Sequence, residues 1–374
     1  MKPEALPRSG LSDAERIDWL RLIRSENVGA VTFNALLRRY GSAAMAIEAL
    51  PDLARKGGRR TILVFPRADA ERELEAAAKA GARFVASCES GYPPGLIAIH
   101  DAPPLLAVYG CTELGADPGR IVAIVGARNA SGVGARFARQ LGAELGQHNL
   151  IVASGLARGI DAAAHTGALA SGTIAVVAGG VDVCYPEENR ALYDQLKTEG
   201  LILSEQPIGT EPQANHFPRR NRLISGLGLG VIVVEAALHS GSLITARMAL
   251  EQGREVFAVP GSPLDPRCRG SNNLIREGAT LTESAEDVTR SLRGIRTLSE
   301  PAASSYSVDD DLPGESELVV GRGQVLEILG PTPLQVDEVI RQCRLTPAIA
   351  LTILLELELA GRLQRHPGNR VSLN

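Results

Sequence analysis

The run IVAIVGARNASGVGARFARQLGAELGQHNLIVASG, residues 121–155, reads as a strand, a glycine-bearing turn, a helix and a second strand. Neither strand alternates. IVAIVG (121–126) and LIVASG (150–155) are apolar at nearly every position, which predicts strands covered on both faces. The pattern recurs at TIAVVAGG (173–180), LILSEQ (201–206), VIVVEA (231–236) and EVFAVPG (255–261), at intervals of about 20–30 residues that leave room for helices. Such repetition predicts an α/β fold with a mostly parallel sheet between two helical layers.

Working outward, residues 11–65 read as short helices. Ser12 and Glu15 have capping-box spacing, Val28-Gly29 makes a turn, and Gly41 stops a helix with Phe33, Leu36, Leu37 and Tyr40 on one face. This head resembles SAM-like or helix-hairpin-helix modules. Those often grip a DNA backbone through N–H groups of the turn, although any small bundle needs such turns. DAERELEAAAKA (69–80) is an amphipathic helix, 83–86 a strand, GYPPGL (91–96) a rigid loop and PPLLAVYG (103–110) a second strand. These extend the Rossmann-like core on its N-terminal side.

Beyond the core, TLSEPAASSYSVDDDLPGESEL (297–318) loses all periodicity and reads as a linker. Residues 323–374 hold three helices, GQVLEILG, LQVDEVIRQC and AIALTILLELELAG, with a turn at 344–347, then RLQRHPGNRVSL as a two-stranded wing. The expected organisation is a helical domain 1–65, an extended Rossmann-like domain 66–296, a linker 297–318 and a winged-helix domain 319–374. A helix that reads DNA exposes Arg, Lys, Asn or Gln. Residues 348–360 offer only Glu356 and Glu358, so protein contact or a structural role is expected there, with Arg362, Arg365 and Arg370 leaving backbone contact open to the wing.

The totals narrow the classes. A chain of 374 residues needs two or three domains, and 44% hydrophobic with 22% charged residues describes a folded protein. A net charge of -4 excludes binding of polyanions by the whole surface, so a nucleic-acid site must be a local patch. The only lysines are Lys2, Lys56, Lys79 and Lys197, so clustering of arginines, rather than their number, carries information. The five cysteines lack CxxC spacing, which predicts no structural zinc, no disulfide framework and a reducing cytoplasm. Neither a signal-peptide core nor a run long enough to insert in a membrane is present.

The strongest cluster is NHFPRRNRLISGLGLGVIVVEAALHSGSLITA (215–246), with Phe217, Arg219, Arg220 and Arg222 within eight residues. A buried strand follows, and then Ser240-Gly241-Ser242 opens a helix. Guanidiniums beside an aromatic suit phosphates and bases, and the helix start presents N–H groups to an anion. The alternative is a solvated arginine-rich loop. VGARNASGVG (125–134) is not GxGxxG, and no acid closes the next strand, so no dinucleotide cofactor is expected. It places Arg128 and backbone donors at a helix start. SGLARGIDAAAHTGAL (154–169) adds Ser154 and Gly155 as donors, with Asp161 at an N-cap position and His165 four residues on. Two candidate ligands without a third make no metal site. Asp182, Glu187, Glu188, Glu205 and Glu235 stand near strand ends, Glu235 placed to order arginines, but no nucleophile–base pair or P-loop specifies a reaction.

Taken in order, VGARNASGVG, SGLARGIDAAAHTGAL, GGVDVCYPEENRALY, FPRRNRLISGL, VEAALHSGSLITARMALEQGREVFAVPG and GSNNLIREGA resemble the DNA-processing protein A family (DprA, also called Smf) across residues 83–281. The resemblance implies a cytoplasmic, non-enzymatic protein of natural transformation that binds and protects single-stranded DNA, loads the RecA recombinase and acts as a homodimer. It implies DNA contact by Arg128, Ser154, Gly155, Phe217, Arg219, Arg222, Gly241 and Ser242, with Arg220 assigned to the variable place of FPxRNR. It also implies a dimer face at Asn273, Leu274 and Ile275. One departure is GAR (126–128) where the family often has GSR, which removes a hydroxyl donor. The same glycine-rich edge, with Glu205 and Glu235, leaves a nucleotide hydrolase or phosphoribohydrolase as the alternative. Against it, VEAALHSGSLITA stands where such enzymes carry PGGxGTxxE.

Overall fold

In the computed structural model, residues 10–298, 315–366 and 368–374 are described. Of the expected linker, 299–314 lies outside the described residues; 297–298 end one helix and 315–318 begin another. The chain forms two compact units, one built on residues 72–298 and one joining residues 11–71 to 315–374.

The first unit is a nine-stranded sheet: β1 (Arg83–Ala86), β2 (Leu105–Gly110), β3 (Ile121–Gly126), β4 (Ile151–Ser154), β5 (Thr173–Val176), β6 (Leu201–Ser204), β7 (Gly230–Val234), β8 (Glu255–Ala258) and β9 (Thr280–Leu281), in the order β1-β2-β6-β5-β4-β3-β7-β8-β9. From β6 to β9 every neighbouring pair is parallel; β2 joins β6 antiparallel and β1 joins β2 antiparallel. The apolar strands bury both faces, as their period of two requires. Ile121, Ala123 and Val125 enter one core cluster with Val231 and Val233, while Val122 and Ile124 enter the other with Ile232 and Val234.

The chain winds outward through β4, β5 and β6 on one side of β3, then through β7, β8 and β9 on the other. The order therefore reverses between β3 and β7, and the crevice at their carboxyl ends is the switch point where such sheets take ligands. Glycine makes the packing there possible. A β-carbon on Gly126 would fall on the Val234 carbonyl oxygen and 2.7 Å from Ile160 Cγ1. Next to it, the helices Gly132–Gln147 and Ile160–Ala168 meet backbone to backbone, since β-carbons on Gly142 and Gly167 would strike the Ala164 and Arg139 carbonyls.

The second unit opens with Asp13–Arg24, whose Ser12–Glu15 capping box is formed. Ala30–Tyr40, ended by Gly41 at φ 75°, and Ala43–Lys56 follow. Its later part holds Glu315–Ile328, Val336–Cys343 and Pro347–Leu359, with a three-stranded wing of β10 (Leu334–Gln335), β12 (Arg370–Leu373) and β11 (Leu363–His366). Residue periodicity gave no sign of β10, which is only two residues long. Head and winged helix are one unit: Asn27 Nδ2 donates to the Leu359 carbonyl at 3.1 Å, and Ala43–Lys56 packs on Pro347–Leu359. That contact accounts for a helix apolar nearly all round. Ile353, Leu354 and Leu357 fill the winged-helix core, while Leu355 and Leu359 are buried outside it.

Gly126→Ala is expected to destabilise the first unit by about 1–3 kcal/mol through overpacking. Gly132→Ala, with nothing within 4 Å of its added carbon, should stay within about 0.5 kcal/mol or stabilise slightly. Urea denaturation midpoints at unchanged slope provide the comparison.

Candidate nucleic-acid interface

The loop leaving β3 is tied to the end of β7 by one carboxylate. Ser131 caps the helix Gly132–Gln147, its Oγ accepting from the Gly134 N–H at 2.9 Å. Its hydroxyl and its N–H (2.8 Å) both donate to Glu235, which is buried and ends β7 at φ 53°. Glu235 thus orders a serine cap rather than arginines.

With the loop so fixed, Arg128 is exposed and stacks over Phe217, its guanidinium carbon 4.6 Å from the ring centroid. Phe217 lies in the first turn of the helix His216–Gly226 and meets Tyr185 at 5.8 Å between centroids. Tyr185 is 48% exposed. One cation and two rings, from the loops after β3 and β5 and from this helix, form a single surface cluster. A guanidinium on a ring face is stabilised by the ring quadrupole and keeps its N–H groups free to turn outward. Tyr185 lies in GGVDVCYPEENRALY, a stretch whose carboxylates draw the eye in sequence. In a chain with 3% aromatics, its own rarity was the available signal.

Arg220 behaves oppositely. It is 5% exposed and donates through Nη1 to the Gly155 carbonyl (2.6 Å) and to the Val176 carbonyl, at the ends of β4 and β5. Counted from Phe217, the variable place of FPxRNR is Arg219, which is exposed, and Arg220 is the framework position. Burial pulls Arg220 down to about 10, still protonated at neutral pH. Asp161 faces it electrostatically; burial pushes that carboxyl up while Arg220 and two N–H donors pull it down. Asp161 does not cap its own helix. It reaches back to accept from Gly155 N–H (3.1 Å) and Ala157 N–H (3.3 Å).

Ser154 and Gly155 therefore face inward. The Ser154 hydroxyl donates to the Ile124 carbonyl at 2.6 Å, and a β-carbon on Gly155 would run into the Arg220 guanidinium. The Thr173 hydroxyl donates to the Val152 carbonyl, so His165 Nδ1–H donates to Thr173 Oγ1 at 2.8 Å. Burial holds His165 down to about 3, leaving it neutral. Asp161 and His165 are framework residues.

Arg222 is 13% exposed and is committed within the protein. It donates to the Asp101 carbonyl at 2.7 Å, pairs with the Asp101 carboxylate at 3.3 Å, and pairs closely with Glu205. The Ser240-Gly241-Ser242 turn lies beside the same helix, with Asn221 Nδ2 3.4 Å from the Gly241 carbonyl. Gly241 is exposed, whereas Ser242 is buried and shares a 2.7 Å hydroxyl contact with Ser240. On the helix Arg269–Arg276, Asn273 bonds Glu277, Leu274 packs against the sheet core, and Ile275 is half-buried.

Two other features frame the cluster. Glu235, Asp265 and Cys268 bring donor atoms within 4.8 Å of one another. Yet Ser131 engages Glu235, the Arg267 guanidinium (2.8 Å) engages Asp265, and burial pushes the Cys268 thiol up toward its uncharged form. Beside Tyr185, a cavity of about 620 Å³ is lined by Asp182, Glu187, Glu188 and Glu211 against Arg158 and Arg190. Its acidic lining disfavours phosphates on that side of Tyr185.

Fold and site together define a doubly wound α/β protein with a cation–aromatic surface at the switch point of its sheet. The chain belongs to the family of DNA recombination-mediator protein A, whose model matches residues 83–293. A DprA-like N-terminal HHH domain matches residues 13–76 and a DprA winged helix domain 313–369. The chain is 39% identical to protein Smf of Escherichia coli over 316 residues, 83% of each chain. Its fold is similar to DNA processing protein A from Streptococcus pneumoniae (TM-score 0.64, 38% identity, 75% of this chain and 98% of that one). It is also similar to DNA processing protein A from Helicobacter pylori, solved for its single-stranded DNA binding mode (TM-score 0.52, 28% identity, 57% of this chain and 96% of that one). All five cysteines are free thiols, and no helix among the described residues is long and apolar enough to cross a membrane.

Arg222→Ala should lower stability by about 1–3 kcal/mol by removing the half-buried guanidinium contacts to Glu205 and Asp101. Arg219→Ala should stay within about 0.5 kcal/mol, as surface substitutions do. Chemical denaturation of both variants separates the framework arginine from the exposed one.

Proposed function

We infer that the switch-point surface binds single-stranded DNA without reading its sequence. The observation that carries this reading is the Arg128–Phe217–Tyr185 cluster, in which exposed Arg128 and Tyr185 flank a half-buried Phe217. Rings stack bases of any identity, and guanidiniums hold phosphates without sequence information. Arg219 and the Gly241 turn flank it, while Ser154, Gly155, Arg220 and Arg222 serve by holding the cluster in place. The binding described for the Helicobacter pylori relative supports the assignment. The protein then acts as a recombination mediator that delivers the strand to the RecA recombinase. The homodimer face is assigned to Asn273, Leu274 and Ile275.

The role is non-enzymatic. Glu205 and Glu235, the carboxylates a nucleotide hydrolase would use, are engaged by Arg222 and Ser131. Two exposed arginines imply a weak salt dependence, about −1.4 per protomer at about 0.7 per phosphate on a single strand. Two protomers on one strand would supply the missing affinity.

Fluorescence anisotropy of labelled oligo-dT tests the site. Phe217→Ala and Tyr185→Ala should each lose about 1–3 kcal/mol of binding, the range for one stacked base. Arg128→Ala should lower the salt slope by about 0.7. Unchanged binding in all three variants would sink the assignment.

A further inference from the structure

The second unit covers the elements by which its two modules would ordinarily meet DNA. The turn of the head, Asn27 to Gly29, lies against the third helix of the winged helix. Asn27 donates to the Leu359 carbonyl, and a β-carbon on Gly29 would lie 3.9 Å from Glu358 Oε1. On the other side of this seam, a β-carbon on Gly57 would overlap the Glu356 carbonyl oxygen. Turn and helix thus pack on one another, although Gly29 and Leu351 stay exposed.

The same seam gathers cations at its rim. RKGGRR (55–60) ends the helix Ala43–Lys56, and Gly361-Arg362 opens the wing. The packing is reciprocal. Arg362 Nη1 lies 3.3 Å from a β-carbon position on Gly58, and Arg59 Nη1 lies 3.2 Å from one on Gly361. Each module thus lays a guanidinium over a glycine of the other. Both glycines have positive φ, 99° and 69°, so side chains there would be strained as well as obstructive.

The neighbouring acids are accounted for. Glu26 pairs with Arg59 at 2.7 Å, Asp52 with Arg55 at 2.8 Å, Glu356 with Arg322 at 2.5 Å and Glu358 with Arg365 at 2.7 Å. Arg60 and Arg362 are exposed. A positive rim therefore remains on a chain whose net charge is -4. Guanidiniums on glycine backbone, without an aromatic, suit phosphate oxygens rather than bases.

We propose that the seam between head and wing is a second nucleic-acid contact, which holds the phosphodiester backbone through Arg60 and Arg362 and exists only while the two modules are joined. It gives the chain a sequence-independent anchor apart from the sheet edge.

The test uses the full chain carrying Phe217→Ala, so that binding at the sheet edge is weakened before the rim is examined. Labelled single strand and labelled duplex of equal length are titrated across salt. Adding Arg60→Ala and Arg362→Ala should lower the salt slope by about 1.4 on the single strand or about 1.8 on the duplex. The probe that responds identifies the form of nucleic acid held. Gly57→Leu, which cannot be seated against Glu356, should raise hydrogen exchange in 347–359 and lose the same slope with every arginine in place. Unchanged slope and affinity on both probes after removal of Arg60 and Arg362 would overturn the proposal. A Gly57→Leu chain that opens by exchange yet keeps its slope would overturn the joint origin of the contact.

Discussion

The sheet edge depends on one buried guanidinium. Arg220 reaches from the helix His216–Gly226 to the carbonyls at the ends of β4 and β5, and the nearby Asp161 carboxylate offsets its charge. A buried cation without such partners would be strongly unfavourable, so the helix has one seating. That seating turns Phe217 toward Arg128 and sends Arg219 outward. Gly155 is a glycine because the guanidinium occupies the space of a side chain. Over the six positions from Phe217 to Arg222, the first three carry the residues turned to the surface and the last three carry Arg220 and Arg222, which hold it.

The fold was legible because burial on both faces of a parallel strand leaves a signal in each residue: 121–126, 150–155 and 231–236 announce themselves. At the candidate site the text shows a cluster, and the structure shows how its members divide. Three arginines in four positions look alike as text, yet they divide into one exposed, one buried in the sheet edge and one locked to Glu205 and Asp101. Only the helical turn decides which way each points, and periodicity cannot supply that when the helix lies across the ends of strands. Tyr185 escaped notice because its partner is Phe217, 32 positions away in the chain.

Carboxylates show the same divide between chemistry and scaffolding. Glu235 could read as a catalytic base at a switch point, but its hydrogen bonds go to the residue that caps the next helix. Positive φ at Glu235 directs its side chain to Ser131. A negative group here sets the shape of the first loop, and with it the place where Arg128 leaves the surface.

The second unit is built from segments that the whole core separates in the chain. Residues 11–71 leave the ribosome long before 315–374 exist, so the head is made with one surface waiting for its cover. Asn27 has no Leu359 to meet, and the Gly57 notch stays empty, until the last helix of the winged module is synthesised. The sheet can close first, since all nine of its strands lie between Arg83 and Leu281, ahead of the second unit's later segment. Completion of the head is thereby a record that translation has run past the core. A chain cut short after the helix Ala285–Leu298 would complete the sheet and its core yet leave the head with a permanently uncovered apolar seam, the kind of exposed surface that chaperones and proteases recognise.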